Sequence, residues 1–325
     1  MTLFSRQQLD AASALVHARM PPSPQRQWPQ LSSALGAELW VKHENHNPTG
    51  AFKVRGGITF IDWLRRTHEE VRGVVTATRG NHGQSQALAA TGAGLTATIV
   101  VPRGNSREKN AAMRAYGAEV IEYGDDFDAA REEADRRAAD DGLLLVPPFH
   151  RELVLGVATY ALELFTAVVD LDVVYVPIGC GSGICGLITV RDLLGLDTRI
   201  VGVVSTEAPT AKLSFEAGRL IPTDSAHTFA DGMAVRVPVA EAFDIYSRGA
   251  ERVVVVSDDE VAHAMRLYFS ATHNVAEGAG AAPLAAALAD RDRLKGRKVG
   301  VILCGANVDS DVFATVLSGR TPQLP

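Results

Sequence analysis

The sequence lacks the features that mark secreted and membrane proteins. Its 325 residues include only three cysteines, Cys180, Cys185 and Cys304. A small and odd number of cysteines does not indicate a framework of disulfide pairs. No stretch of about 18 apolar residues is free of charges and of Gly or Pro breaks, so we expect no membrane span. The amino terminus has no apolar core followed by a small-residue cleavage site, so we expect no secretory signal. These absences indicate a cytoplasmic protein with free thiols.

The sequence also has no block of charge of one sign. Its formal net charge of −6 is spread along the chain, so we expect no nucleic-acid-binding face. The hydrophobic content of 46% is sufficient for a large buried core in one or two domains.

Short apolar runs rich in valine and isoleucine alternate with helix-like patterns. Such continuous apolar strands are typical of mainly parallel sheets that helices cover on both faces, so we expect an α/β fold. The predicted strands are residues 73–78, 96–101, 118–123, 143–146, 173–177, 200–204, 253–256 and 299–304. Helices are predicted to begin at Gly83, Arg107 and Asp126.

The predicted strands form two groups separated by Pro147 and Pro148, which mark a boundary. We expect two domains, each with a mainly parallel sheet. The small domain is predicted at residues 57–148, and the large domain at residues 1–56 and 149–325.

A turn-forming segment, Asn47-Pro48-Thr49-Gly50, leads into a helical pattern that carries Lys53. A lysine at a helix start in a partly apolar pocket can lose its proton, and its neutral amine can then bond a carbonyl cofactor. A solvated lysine on a surface helix is an alternative that this segment alone leaves open.

A second motif, Thr78-Arg79-Gly80-Asn81-His82, follows the strand predicted at residues 73–78. A strand, a glycine turn and then a helix place backbone N–H groups at a helix amino terminus, which suits a substrate carboxylate. The amide of Asn81 can also hydrogen-bond a phenolic oxygen. An ordinary helix cap in a loop between strand and helix is the alternative.

A third motif is the glycine loop, which we define as Gly179, Cys180, Gly181, Ser182 and Gly183. Its three glycines let the backbone wrap an oxyanion at the start of a helix, which predicts a phosphate site. The segment Gly181-Ser182-Gly183-Ile184-Cys185-Gly186 also fits the dinucleotide fingerprint G-x-G-x-x-G. However, the next predicted strand is followed by Ser205 and Thr206 rather than directly by an acidic residue.

A fourth motif is the strand that ends in Cys304 and Gly305. A buried cysteine is usually only a small hydrophobic residue, but this thiol is expected at the ligand-binding edge of a parallel sheet.

In this order, the four motifs resemble the serine/threonine dehydratase family. These are pyridoxal-phosphate (PLP) enzymes of fold type II, the fold of the β subunit of tryptophan synthase. The family's order is S/T-G-S-F-K-x-R-G, then S-x-G-N-H, then a glycine loop, then S/C-G. The resemblance covers nearly the whole chain, although Ala51 stands where many relatives have serine.

The resemblance implies a role for each motif. Lys53 would bond the cofactor and move the Cα proton, and Phe52 would pack near the cofactor ring. Asn81 would hydrogen-bond the phenolic oxygen, and Cys304 would face the pyridine nitrogen. The phosphate would be bound by the glycine loop, and the substrate carboxylate by Thr78, Arg79, Gly80, Asn81 and His82. Gly232 and Glu277 would flank the cofactor.

The implied activity removes water and then ammonia from a β-hydroxy amino acid of the threonine or serine type, with phenylserine as a further candidate. Alternatives are a 3-hydroxyaspartate dehydratase, a serine-racemase-like enzyme and, from another class, a nicotinamide dehydrogenase or a catalytically silent binding protein. Arg79 stands where serine racemases of this family carry a catalytic serine, which argues against efficient racemisation. The resemblance also implies a homodimer.

Metal-activated relatives carry an acidic pair that aligns with Val204 and Thr210, neither of which is acidic. We therefore expect no metal site, although Glu207 could supply a ligand if the alignment has a local gap. The chain ends soon after Cys304, so we expect no regulatory domain.

Overall fold

The computed structural model describes residues 3–125 and 127–323, which form two sheets surrounded by helices. The strands are β1 (Gln25–Gln27), β2 (Glu38–His43), β3 (Gly73–Ala77), β4 (Thr96–Val101), β5 (Glu119–Glu122), β6 (Leu144–Leu145), β7 (Val173–Pro177), β8 (Arg199–Ser205), β9 (Arg252–Val256) and β10 (Lys298–Leu303).

The helices cover both sheets and connect most of the strands. They are α1 (Arg6–His17), α2 (Pro29–Leu35), α3 (Lys53–Thr67), α4 (Asn81–Gly92), α5 (Arg107–Ala115), α6 (Phe127–Asp140), α7 (Arg151–Ala167), α8 (Ser182–Leu193), α9 (Thr210–Ala217), α10 (Ala240–Gly249), α11 (Asp258–Thr272), α12 (Gly278–Ala289) and α13 (Ser310–Leu317). In the described residues, no helix combines the length and the apolar character that a membrane span needs.

The larger sheet has the strand order β1-β2-β10-β7-β8-β9. All of its neighbouring strands pair in parallel except β1, which pairs antiparallel with β2. Its central strands are rich in valine and isoleucine because helices bury both of their faces. Helices α7, α8, α11 and α12 supply much of the core around this sheet.

The smaller sheet is wholly parallel and has the order β5-β4-β3-β6. Its core packs apolar side chains of α3 and α5 against β3 and β4, including Phe60, Leu64, Val74, Ile99 and Met113. Helix α3 also packs against α7, so it links the two sheets.

The expected α/β class with mainly parallel sheets is confirmed. One prediction was wrong: α4 begins at Asn81 rather than Gly83. The amide of Gln84 donates to the carbonyl of Gly80 at 3.1 Å, so the helical hydrogen bonds start one turn earlier. The helix predicted at Arg107 begins there, whereas the predicted start at Asp126 lies outside the described residues.

The carboxyl ends of β3, β7 and β10 each lead directly into a predicted motif. Thr78 follows β3, Ile178 and the glycine loop follow β7, and Cys304 follows β10. Because ligands of open parallel sheets bind beyond the carboxyl ends of the strands, this edge is the candidate site.

Candidate active site

Lys53 is the first residue of α3, and its amine points at the glycine loop. Its Nζ donates to Ser182 Oγ at 3.1 Å and lies 5.0 Å from the centroid of the Phe52 ring. Burial lowers the pKa of Lys53, and the neighbouring thiols and the Glu277 carboxylate oppose that shift only in part. The amine therefore loses its proton more readily than a solvated lysine does.

The segment before Lys53 is fixed against the strand that carries Cys304. The amide of Phe52 donates to the Cys304 carbonyl at 2.9 Å, and Ala51 forms an isolated bridge with Gly305. On the other side, Ser85 Oγ donates to the Lys53 carbonyl at 2.6 Å. The Lys53 backbone is thus held from both sheets.

The glycine loop turns tightly between β7 and α8. Gly181 has φ = 93°, the left-handed region that favours glycine, and a Cβ at Gly179 would lie 2.3 Å from the Gly232 carbonyl oxygen. Within the described residues, the backbone N–H groups of residues 179–183 have no protein acceptor. These free donors at the amino end of a 12-residue helix form a cradle for an anion.

Asn81, at the start of α4, donates to the carboxylate of Glu277, the residue immediately before α12. Its Nδ2 donates to Glu277 Oε1 at 2.8 Å and to Oε2 at 3.0 Å, while its Oδ1 accepts from Asn307 Nδ2 at 2.7 Å. Burial raises the pKa of Glu277 to about 7, Lys109 and Asn81 oppose the shift, and Asp231 adds to it. Glu277 is therefore protonated more readily than a solvated carboxyl group.

Cys304 lies beside the same carboxylate. Its thiol donates to Glu277 Oε1 at 3.8 Å. Burial raises the pKa of Cys304 well above the ordinary value of a thiol, and the Glu277 charge adds to the shift. Cys304 is therefore neutral at physiological pH, and so is Cys180, whose pKa burial also raises.

The loop between β3 and α4 is stabilised by an internal hydrogen bond, in which Thr78 Oγ1 accepts from the Gly80 amide at 3.1 Å. Arg79 is exposed and has no hydrogen-bond or ion-pair partner in the described chain. Burial and, to a smaller extent, the Lys53 charge lower the pKa of His82 to about 3, so its ring is neutral. His82 Nε2 is buried without a partner among the described residues.

A buried network of charges anchors the first turn of α3. Arg55 donates to Glu44 Oε2 at 2.7 Å and to Glu163 Oε1 at 2.6 Å, and Lys42 donates to Glu163 Oε2 at 2.5 Å. Arg55, Glu44 and Lys42 are fully buried. Because Arg55 lies two residues after Lys53, this network holds the helix start that presents the amine.

The structure therefore brings most of the predicted site residues together. Direct contacts join Lys53 to Ser182, Asn81 to Glu277, and Cys304 to both Phe52 and Glu277. Gly232 packs against the glycine loop, whereas the exposed Arg79 side chain forms no hydrogen bond or ion pair with another predicted site residue in the described ranges.

Sequence reasoning missed Lys109, Asp231 and Asn307. The buried Lys109 on α5 forms an ion pair with the partly exposed Asp231, and Asn307 also donates to the Thr49 carbonyl at 2.8 Å. The available signals were weak: Asp231 immediately precedes Gly232, and Asn307 lies three residues after Cys304.

Comparisons with known proteins agree with this geometry. Residues 19–305 match the family described as pyridoxal-phosphate dependent enzyme. The chain belongs to this family.

Two curated relatives of this enzyme differ in the substrate that they are named for. An L-threonine ammonia-lyase of Thermotoga maritima is 36% identical over 289 residues, which are 89% of this chain and 72% of the relative. An L-threo-3-hydroxyaspartate ammonia-lyase of Saccharomyces cerevisiae is 33% identical, covering 89% of each chain. The solved structure of processed threonine deaminase isoform 2 from Solanum lycopersicum matches with a TM-score of 0.88 and 29% identity, covering 97% of this chain and 94% of that one.

These matches confirm three expectations: the serine/threonine dehydratase family, a PLP-dependent ammonia-lyase or dehydratase, and PLP as the cofactor. They give no support to the dinucleotide interpretation of the glycine loop.

The residues of the site fit PLP. The free backbone donors of the glycine loop suit a phosphate, the Lys53 amine with its lowered pKa suits an aldehyde, and the Cys304 thiol is neutral. The stretch aligned with the metal site of some relatives differs: Val204 is buried, Thr210 Oγ1 donates to the Val235 carbonyl at 3.0 Å, and Glu207 is exposed. In the described ranges, no group of three or more His, Cys, Asp or Glu side chains could hold a metal.

Proposed function

We propose that this enzyme removes water and then ammonia from a β-hydroxy amino acid of the threonine or serine type and leaves a 2-oxo acid. The observation that carries the proposal is the 3.1 Å contact between Lys53 Nζ and Ser182 Oγ, which places an amine with a lowered pKa at the anion cradle. The similarity to threonine ammonia-lyases supports this substrate class.

Each group of residues would hold one part of the cofactor. Lys53 would bond the aldehyde, the glycine loop would bind the phosphate, and Asn81 would hydrogen-bond the phenolic oxygen. Cys304 would face the pyridine nitrogen, while the ring would lie near Phe52, Gly232 and Glu277. When bound, PLP supplies an electron sink for the electrons released at the substrate Cα.

The chain's own residues would direct the reaction. The amine of Lys53 would remove the Cα proton as a general base, which requires the neutral form that burial favours. The neutral thiol of Cys304 cannot stabilise a charged pyridine nitrogen as a carboxylate would, and this favours prompt loss of the β-hydroxyl group. Thr78, Arg79, Gly80, Asn81 and His82 would orient the substrate carboxylate at the amino end of α4.

A substrate panel tests the proposal. We expect 2-oxo acid and ammonia in equal amounts from threonine or serine, and no product from the Lys53→Ala variant. The panel also includes phenylserine and 3-hydroxyaspartate. If none of the four amino acids yields a 2-oxo acid, the proposed reaction is wrong.

A second candidate substrate is 3-hydroxyaspartate, which carries a second carboxylate. The exposed Arg79 has no carboxylate partner in the described chain and lies in the proposed substrate loop. If this substrate is preferred, Arg79→Met should reduce kcat/KM for 3-hydroxyaspartate more than it does for threonine. An equal loss for both substrates would count against an Arg79 contact with the second carboxylate.

We also propose that this enzyme is a cytoplasmic homodimer. Three free thiols support a location in a reducing compartment. Within each subunit we propose a small domain of residues 57–148, because all four strands of the smaller sheet lie within this range. Sedimentation equilibrium tests the dimer, and limited proteolysis tests the domain boundaries.

A further inference from the structure

Lys109 joins the two sheet regions beside the candidate site. It lies on α5 of the smaller sheet, its side chain is 8% exposed, and it forms an ion pair with Asp231 near the glycine loop. Two residues near Lys109 also bond to the larger sheet region. Ser106 Oγ donates to Asp309, and Glu108 Oε1 accepts from the Ser310 amide. The amino end of α5 is therefore docked on the larger sheet region.

The backbone beside Asp231 lies near the Glu277 carboxylate. Asp231 adjoins Gly232, and a Cβ at Gly232 would be only 3.8 Å from Glu277 Oε1. Burial alone lowers the pKa of Lys109, but Asp231 and Glu277 outweigh burial and raise it, so the amine is charged. The titratable groups that act electrostatically on Glu277 come from separate parts of the chain, and they are Lys109, Asp231, Lys53 and Cys304.

The charge of Glu277 determines how the Asn81 amide is held. The Asn81 NH₂ group donates to both carboxylate oxygens, and its oxygen is already occupied by Asn307. An ionised carboxylate accepts at both oxygens, whereas a protonated one presents an O–H donor. Protonation of Glu277 would therefore weaken one of the contacts that fix Asn81.

We propose that Lys109 is a positioning residue whose buried positive charge favours the ionised form of Glu277 and thereby helps to fix the Asn81 amide against the cofactor. The proposal rests on the cofactor-binding roles proposed above for Asn81 and Glu277. Asp231 holds the Lys109 amine in place, so the docking of α5 and the charge of Glu277 are linked. A purely structural ion pair would stabilise the fold without setting this charge.

The test is a pH titration of the visible absorption of the substrate-free holoenzyme. Removing the charge in Lys109→Met should move the midpoint assigned to Glu277 upward by about one pH unit or more, because a nearby opposite charge shifts a carboxyl pKa by that amount. Lys109→Arg should stay close to wild type. Arg107→Met, which removes an exposed charge from the same helix, is the matched control and should leave the midpoint unchanged.

Asp231→Asn should shift the midpoint assigned to Glu277 in the opposite direction. It removes a negative charge near Glu277 and leaves the positive one, so the midpoint should move to lower pH. Because this variant keeps Lys109, it also tests the proposal if Lys109→Met fails to fold. Shifts in the same direction for Lys109→Met and Asp231→Asn would indicate a packing effect and overturn the proposal.

Glu277→Gln completes the experiment. In this background Lys109→Met should cause no further shift, because the titrating carboxyl is gone. A shift that persists, or a Lys109→Met holoenzyme that titrates as wild type, would overturn the inference alone. A wild-type protein without visible absorption would instead contradict the proposed function and, with it, the inference.

Discussion

The Nδ2 of Asn81 donates to both oxygens of Glu277, at 2.8 and 3.0 Å, and so joins the start of α4 to the start of α12. These two helices belong to different sheet regions. The contact is therefore made only when the two regions are packed together.

Asn81→Ala should weaken cofactor binding. The substitution removes the proposed hydrogen bond from the Asn81 amide to the phenolic oxygen of the cofactor, and a hydrogen bond to a charged oxygen contributes about 1.5–3 kcal/mol, which corresponds to at least about tenfold in affinity. Titration of the apoenzyme with PLP measures this change. Asn45→Ala removes an amide hydrogen bond at Asn274 and serves as the control. Equal affinities for Asn81→Ala and wild type would contradict a contact between Asn81 and the cofactor.

Gly181→Ala should disrupt the glycine loop. An alanine there would adopt φ = 93°, and its Cβ would lie 2.6 Å from the Cβ of Ala242. We expect a loss of PLP affinity larger than any loss of stability. Gly218→Ala is a matched control, because φ is 65° and nothing lies within 4 Å of the added Cβ. Wild-type PLP affinity in both variants would contradict the phosphate-binding role proposed for the glycine loop.

Arg55→Met should destabilise the protein strongly. It leaves the fully buried carboxylate of Glu44 without its guanidinium partner, and breaking a buried pair in this way costs about 3–5 kcal/mol. The exposed pair Arg66–Asp62 offers a control, since Arg66→Ala should cost about 1 kcal/mol or less. Urea unfolding measures both changes, and similar losses for the two variants would argue against the buried network.

The same network predicts a pH dependence of stability. Burial alone raises the pKa of Glu163, but Arg55 and Lys42 outweigh burial and lower it from 4.5 to about 2. A lowered carboxyl pKa stabilises the fold above the unfolded value, so this contribution should be present above pH 4.5 and be lost as the pH falls toward 2. Glu163→Gln should flatten the decline in unfolding free energy across that range. An unchanged slope would contradict the assignment.

Catalysis should not depend on a divalent metal. Val204 and Thr210 provide no carboxylate where metal-activated relatives of the family carry an acidic pair. We expect the rate of 2-oxo acid formation to be the same after treatment with EDTA and after addition of Mg²⁺ or Ca²⁺. A loss of activity on chelation, restored by the metal and abolished by Glu207→Gln, would instead assign a site to Glu207.

The sequence was sufficient to predict β3 to β10 because buried parallel strands are continuous apolar runs. The predictions for β4 and β7 match the observed bounds, and the other predicted strands differ by a residue at one or both ends. The start of α4 was predicted two residues late because its hydrogen bonds depend on Gly80, which the apolar pattern does not reveal.

The chemistry of the site was only partly predictable. Lys53 and the glycine loop are recognisable because each belongs to a short local motif. The Lys109–Asp231 pair joins residues 122 positions apart, and the Asn307–Asn81 contact spans 226 positions. Such pairs arise from the packing of the two sheet regions, and no local pattern encodes them.

The most direct test of the central claim is to identify the lysine that bonds the cofactor. The holoenzyme is reduced with borohydride and digested, and the modified peptide is located by mass spectrometry. The account predicts a pyridoxyl group on Lys53, with none on the buried Lys42 or Lys109. A label on another lysine, or an unlabelled protein, would contradict the assignment of Lys53 as the residue that holds PLP.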